Sequence, residues 1–439
     1  MRLRRAWSFA SLLGLAALVA LGCASAAPSS RSVLPTLVAG DTNASKGYEK
    51  PPVLRASDLL PPELRSGPHH EVEDAVATDG FMRIYSIASD FGEFEAHGDE
   101  MLRTRVVEIR ALASLQELST GEEFGAALRR TLQSPFVATW NLVTKPVSSI
   151  TGIPRGAAEA LRSASELARS ERGELEDNAL GEFFGFEKRK RELAHRLGVD
   201  PYSSNRALQE QLNRFAWVSY VGGFGAMLVP FAEGSRPDEA QPARDREILR
   251  DYAPEDLRRL NRIELAVMGI PEETSRAFIA HPWYSPRHQS LLVAQLAALD
   301  LVASRATFIE AALRATSEED ALFYTRSARL LRAYHENVTP LERIARFRDS
   351  VIGLTEDGRL VAPLAFDHVV WTRPVHVFVN SLRRSTLSDQ RRVTGRTILL
   401  TGSFSPKARA MIEKRGVEVG ERALEASRSV ADETAQGER

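Results

Sequence analysis

Along most of this chain the apolar positions recur three and four residues apart, the spacing that gathers them on one face of a helix. Leu102, Val106, Ile109 and Ala113, widened by Leu112 and Leu115, mark an amphipathic helix over residues 99–118. Ser119 and Glu122 have the spacing of a capping box, which opens a helix burying Phe124, Leu128 and Leu132 ahead of Pro135. Shorter helical pieces then lead to one over about 155–170. A charged, glycine-interrupted loop is expected over 171–184, and a charged helix from Phe186 to Leu197, ended by Gly198. Asn205 can cap a helix that begins at Arg206 and runs into the uncharged stretch Phe215–Ala232. Pro254 opens a helix expected to bury Leu257, Leu260, Ile263 and Leu265. Pro271, Ser285-Pro286, Thr307 and Ser317 open four more.

Strand patterning is confined to the two ends. Phe81–Ile87 is rich in β-branched and aromatic residues and Asp90–Phe94 turns back from it, which predicts a small hairpin. Further on, Glu356-Asp357-Gly358-Arg359 is a hairpin signal between Val351-Ile352 and Leu360-Val361. Thr397–Thr401 reads as a buried strand, Ser405-Pro406 opens a helix that Gly416 ends, and Val417–Val419 begins another strand, together a β-α-β unit. The class expected is therefore mainly α: a helical body with a small N-terminal β-hairpin and a small α/β C-terminal region.

The segment from Ala24 to His70 lacks periodicity and is rich in Pro, Ser, Gly and Ala, so it reads as a flexible tether. The domains expected beyond it are an α-rich one with the hairpin over 71–232, a linker over 233–246, a helical one over 247–350, and a small α/β one over 351–426. A disordered tail over 427–439 closes the chain.

The N-terminus has a pattern of its own. Arg2, Arg4 and Arg5 precede an uncharged stretch, Ala6–Gly22, dominated by Leu, Ala and Val, which ends in Ala20-Leu21-Gly22-Cys23. These first ~25 residues resemble the signal peptide and lipobox of a bacterial lipoprotein; the rest of the chain resembles no family. The resemblance implies cleavage after Gly22 and lipidation of Cys23, palmitate included, so that the bilayer is a partner through several N-terminal acyl chains. Each buried methylene contributes about 0.8 kcal/mol, and more than one chain is needed for stable anchoring. Ala24 in the position after the cysteine implies the outer membrane, facing the periplasm.

Loss of the leader takes three arginines with it, leaving 54 basic against 58 acidic residues and a net charge of −4. That balance gives no reason to expect nucleic acid as a partner. Cys23 is the only cysteine, so disulfides, zinc–thiolate sites and thiol catalysis have no residues to use.

Candidate chemistry is sparse. Lys188-Arg189-Lys190-Arg191 is the densest basic cluster. With Trp217, Tyr220 and Phe224 it forms the candidate contact for a membrane surface or an envelope protein partner. The 18 uncharged residues Phe215–Ala232 would make a helix of roughly 27 Å, just short of a bilayer core. Their glycines and Pro230 favour a buried core helix, in which Gly222 and Ala226 would let a neighbour approach closely. His281 and His288, beside Trp283 and Tyr284, are the weak ligand-site candidates, and His368 and His376 a second histidine pair. The chain lacks the HExxH, GxSxG and phosphate-loop patterns, so no catalytic residue, cofactor or metal is assigned. The function expected is a non-catalytic binding or scaffolding role in the cell envelope. The alternative is a lipid-anchored periplasmic hydrolase acting on an envelope component, which would bring one histidine pair together with a carboxylate and a pocket.

Overall fold

A computed structural model of the chain describes residues 47–132, 174–223, 252–387 and 391–425, with backbone alone for Leu132 and for 174–184. The chain divides into residues 1–31 and 32–439, and every described residue lies in the second part.

The first surprise is how early and how extensively strands form. β1 (Leu54–Arg55) leads into single helical turns α1 (Ala56–Leu59) and α2 (Pro62–Arg65), followed by β2 (Ser66–Gly67), β3 (His70–Val72), β4 (Ala75–Thr78), β5 (Arg83–Ser89) and β6 (Gly92–His97). All are antiparallel. β5 pairs with β6 along one edge; along the other it meets β4 near Ile84 and β3 near Ile87, with β1 and β2 outside them. The expected hairpin is the β5–β6 pair of a six-stranded sheet. Residues 47–70, read as tether, are part of this ordered body: Ala56 is fully buried and the Tyr48 hydroxyl lies 2.8 Å from His376. The rest of the expected tether, 24–46, lies outside the described residues.

α3 (Asp99–Ser119) joins two cores. Its first half, Met101, Leu102 and Val106, packs on Tyr85 and Ile87 of the sheet. Its second half, Leu112 and Leu115, packs on α4 (Glu122–Leu132), α5 (Glu174–Leu197) and α6 (Arg206–Gly222). Ser119 does not cap α4; it ends α3, and its hydroxyl donates to the Gln116 carbonyl at 2.7 Å. The loop expected over 171–184 is the start of α5 from Glu174 onward, because its Glu, Leu and Ala residues are good helix formers. Gly185 serves close packing there, since the Tyr220 ring lies where a side chain would go.

α6 ends at Gly222, with Gly223 left-handed at φ 70°, so the uncharged stretch is not one continuous helix. Phe215 and Trp217 are core residues of this bundle, and Gly222 packs against the α4 backbone at Ala127, the close approach that its size suggested. Ala226 lies outside the described residues, as do the helix expected over 155–170, the linker over 233–246 and the tail over 427–439.

The remainder shares a single core. α7 (Pro254–Val267), α8 (Glu272–Ile279), α9 (Pro286–Ala297), α10 (Ala306–Ala312) and α11 (Glu318–Asn337) pack with β7 (Leu341–Phe347), β8 (Ser350–Thr355), β9 (Arg359–Leu364), β10 (His368–Val369), α12 (Arg373–Arg384), β11 (Gly395–Leu400), β12 (Ser403–Phe404), α13 (Pro406–Glu413) and β13 (Glu418–Gly420). Five strands form a mixed sheet in the order β13-β11-β9-β8-β7. It is antiparallel from β7 to β9 and parallel from β9 through β11 to β13, the two crossovers carrying α12 and α13. The boundary expected at 350/351 has no counterpart, because Leu292, Phe308 and Leu330 belong to the same cluster as Val361 and Leu399. β8 is buried throughout and β9 nearly so, as strands covered on both faces are. On α7 the buried line is Leu257, Asn261 and Leu265, whereas Leu260 and Ile263, expected inside, are 40% and 54% exposed.

The fold is thus mixed α/β with two substantial sheets, not mainly α with small β parts.

Candidate functional site

The starts of four helices meet around one large cavity. Arg206 opens α6 after its cap Asn205, whose side chain accepts from Leu208 N–H. Pro254 and Glu255 open α7, where Ala253 supplies no side-chain cap. Ser285 caps α9 by accepting from His288 N–H at 3.2 Å, and Glu318 opens α11 after Ser317. All these helices direct their positive dipole ends toward the same region. The cavity between them has a volume of about 1090 Å³. Trp283, Pro282 and Ile279 give it apolar wall, while Arg206, Arg258, Arg262, Arg276, Glu187, Glu255 and Glu318 give it charge.

Both weak candidates from the sequence, His281 and His288, line this cavity, but they do different work. The His281 ring is tied into the backbone: Nε2 donates to the Leu313 carbonyl at 3.2 Å and Nδ1 accepts from Trp283 N–H at 3.4 Å. Burial lowers its pKa, which suits that neutral tautomer. Beside it, Tyr284 donates to the Ala312 carbonyl at 3.0 Å, and burial raises its pKa. His288 is only 8% exposed, and its Nδ1 has no hydrogen-bond partner. Burial lowers the His288 pKa, against an opposing pull from Asp200 and Glu318. The neighbouring Gln289 places its amide nitrogen on the Ile279 and Tyr284 carbonyls, at 2.9 and 3.2 Å, and leaves its buried Oε1 without a partner.

The lining residues Ser204 and Glu318 belong to a buried polar network. Glu108 of α3 accepts from Arg105 at 2.7 Å, from Asn205 at 3.0 Å and from Ser203. Arg105 also reaches Glu318 at 3.3 Å and Ser204 at 3.1 Å, and Ser204 donates to Glu318. Loop 200–205 and the start of α11 are thereby fixed to α3. Ser285 donates its hydroxyl to Asp200 at 3.2 Å and accepts the His288 amide, so its oxygen is held by the carboxylate and the cap. The cavity does bring His281 and His288 together with carboxylates, the arrangement expected of the hydrolase alternative. Ser285, however, gives its hydroxyl to Asp200 and not to an imidazole ring, so the contact that nucleophilic catalysis uses is not made.

The other sequence candidates are dispersed. Of the basic cluster, Lys188 and Arg189 are exposed and Arg189 pairs with Glu192 at 2.9 Å, but Lys190 and Arg191 are 7% and 6% exposed. At 100° per residue, four consecutive positions cannot share a face. Trp217 is buried against Phe186, Tyr220 is half-buried beside Trp217, and Phe224 lies outside the described residues. None of the described helices is long and apolar enough to cross a membrane. His376 contacts Tyr48 and Trp371, whereas His368 lies 3.5 Å from the Ser403 hydroxyl, so this pair has separate partners. Cys23 and Gly22 lie outside the described residues. Sequence reasoning did not single out Glu187, Asp200, Arg206, Arg262 or Glu318. All four helix starts, at Asn205, Pro254, Ser285 and Ser317, were legible, but not their convergence.

Comparison of the chain with protein-family models, with curated proteins and with solved structures finds no match.

Proposed function

We propose that this chain is a lipid-anchored protein of the cell envelope that works by binding, and that the cavity between α6, α7, α9 and α11 is where it binds. The observation that carries the reading is the cavity lining: the exposed guanidinium groups of Arg206 and Arg262 and the starts of four helices, beside the exposed ring of Trp283. A few polar groups converging on a concave, partly apolar wall are what a ligand site supplies. The volume, about 1090 Å³, suits a small molecule. The alternative, a hydrolase, has its expected histidine pair, carboxylates and pocket here; binding is preferred because His281 is tied to the Leu313 carbonyl and Ser285 is engaged by Asp200 and by the cap of α9.

The anchor is supported by the basic, apolar and small-residue order that ends at Cys23. On this reading Gly22 is the last residue removed, and the acyl chains on Cys23 hold the protein to the outer membrane, facing the periplasm. Fractionation tests it. Full-length protein should stay with membranes through high salt and carbonate, and a Cys23→Ser version carried by an ordinary cleavable signal should be released as folded soluble protein. Retention of that variant through both washes defeats the lipid-only anchor. For the cavity, a broad panel of small envelope-derived molecules should raise the melting temperature and perturb tryptophan emission in a way that Trp283→Ala removes. A panel that moves neither defeats the binding reading.

A further inference from the structure

We propose that the cavity takes a ligand carrying a phosphate or carboxylate group, held by Arg206 and Arg262. The inference rests on the cavity being the binding site and adds the chemistry of its occupant. Four arginines line the cavity, and two are already engaged along their own helices: Arg258 with Glu255 at 2.5 Å and Arg276 with Glu272 at 3.2 Å. Arg206 and Arg262 are exposed and have no ion-pair or hydrogen-bond partner among the described residues. Of the lining carboxylates, Glu255 is paired with Arg258 and Glu318 with Arg105, which leaves Glu187 against two guanidinium groups.

Two further features favour an anion. α7 begins without a side-chain cap, so the amides of its first turn have no side-chain acceptor from Ala253, and α6 and α9 point their N-terminal ends to the same space. His288, a lining residue more than nine-tenths buried, has an Nδ1 that nothing in the protein occupies. A guanidinium binds phosphate or carboxylate through two parallel N–H donors, which a neutral ligand cannot match. Trp283 and Pro282 offer the apolar remainder of such a ligand a flat surface.

The test is calorimetric titration of the full-length protein in non-ionic detergent with inorganic phosphate, citrate, glycerol phosphate and micelles of a short-chain anionic phospholipid. Saturable binding of at least one probe is expected, weakened tenfold or more in Arg206→Gln/Arg262→Gln, unchanged in Arg189→Gln, and weakened by added salt. A preference for phosphate or citrate identifies a soluble anion, and a preference for the micelle a lipid headgroup; either supports the assignment. Both substituted side chains are exposed, and circular dichroism checks that the double variant is folded. Anion binding that the double variant leaves intact overturns the assignment. If neutral molecules perturb Trp283 while no anion binds, the anion assignment falls and the cavity remains a binding site. If no molecule of either kind perturbs Trp283, both fall.

Discussion

The backbone N–H of Asp99, first residue of α3, donates to the carboxylate of Asp367 at 3.0 Å, joining two stretches far apart in sequence. Asp367 is 2% exposed. Asp99 meanwhile directs its own carboxylate to Arg83 at 2.7 Å and to the Tyr85 hydroxyl at 2.6 Å, and Arg326 is 3.9 Å from Asp367. The helix that carries Arg105 and Glu108 is thus pinned, through its first residue, to the buried stretch between β9 and β10.

That contact makes stability depend on pH. Burial, and then the nearby charge of Asp99, push the Asp367 pKa from 3.8 up to about 7. The unfolded chain ionises this carboxyl from about pH 4 upward, while the folded chain resists ionisation until about pH 7, so folding loses stability across that window and does not regain it above. Asp367→Asn keeps an acceptor for Asp99 and removes the charge. Its stability relative to the parent should improve by on the order of 2 kcal/mol between pH 4 and pH 8. Urea unfolding of both proteins across this range checks it; parallel pH profiles contradict it.

Gly402 lies against the backbone of Asp367, and a methyl group there would overlap the Asp367 carbonyl. The same stretch pairs β10 with β12 and sends Gly402 N–H to the Phe366 carbonyl at 2.9 Å. The backbone on both sides is held, so Gly402→Ala should cost about 3 kcal/mol or more, through overpacking against main chain. Gly416→Ala, at φ 71° but with open space around it, should cost only about 1 kcal/mol. Thermal melts of the two variants side by side separate the mechanisms.

How much of this was readable in the chain depends on how local each feature is. The cap Ser285, Pro286 and the stripe Leu292, Leu296 and Leu299 lie within one helix and its entry, and the expected helix is α9. His281 and His288 flank that entry, so their joint place at the cavity was within reach of sequence reasoning. β1 to β4 were not, because strands of two to four residues are too short to show alternation, and each is completed by a distant partner. β7 hides for another reason. Leu341 and Ile344 are both buried although three apart, because a bulge between Leu341 and Arg343 shifts the alternation. Arg206 and Arg262 gave no local sign of a site, since what distinguishes them is the lack of a partner.

The Arg105–Glu108 pair should be among the most sensitive in the protein. Their side chains are 11% and 2% exposed, and Glu108 accepts from Arg105, Ser203 and Asn205 together. Arg105→Ala would leave Glu108 buried without its cation, a change that costs about 3–5 kcal/mol when a buried pair is broken. Loop 200–205 would loosen, and ligand binding at the cavity should weaken with it. Arg105→Met/Glu108→Leu should recover much of the stability but not the binding, because Ser203, Ser204 and Asn205 lose their anchor. Chemical denaturation paired with titration of a bound anion distinguishes the two effects.

Lys190 supplies the opposite case, a buried charge whose removal should help. Burial lowers its pKa, opposed by Glu187 and Asp200. The unfolded lysine takes up a proton as pH falls through about 10.4 while the folded one lags, so stability is lost on that descent and stays lost toward neutrality. Methionine keeps the length of the stem without the ammonium group. Lys190→Met should therefore raise stability at pH 7 by about 1 kcal/mol, and the gain should shrink as pH approaches 10. Lys188→Met, on the exposed side of the same helix, should change little at either pH. If Lys190→Met destabilises the protein at pH 7 while Lys188→Met does not, the Lys190 charge is a net contributor to the α5 packing, and its desolvation is outweighed by Glu187 and Asp200.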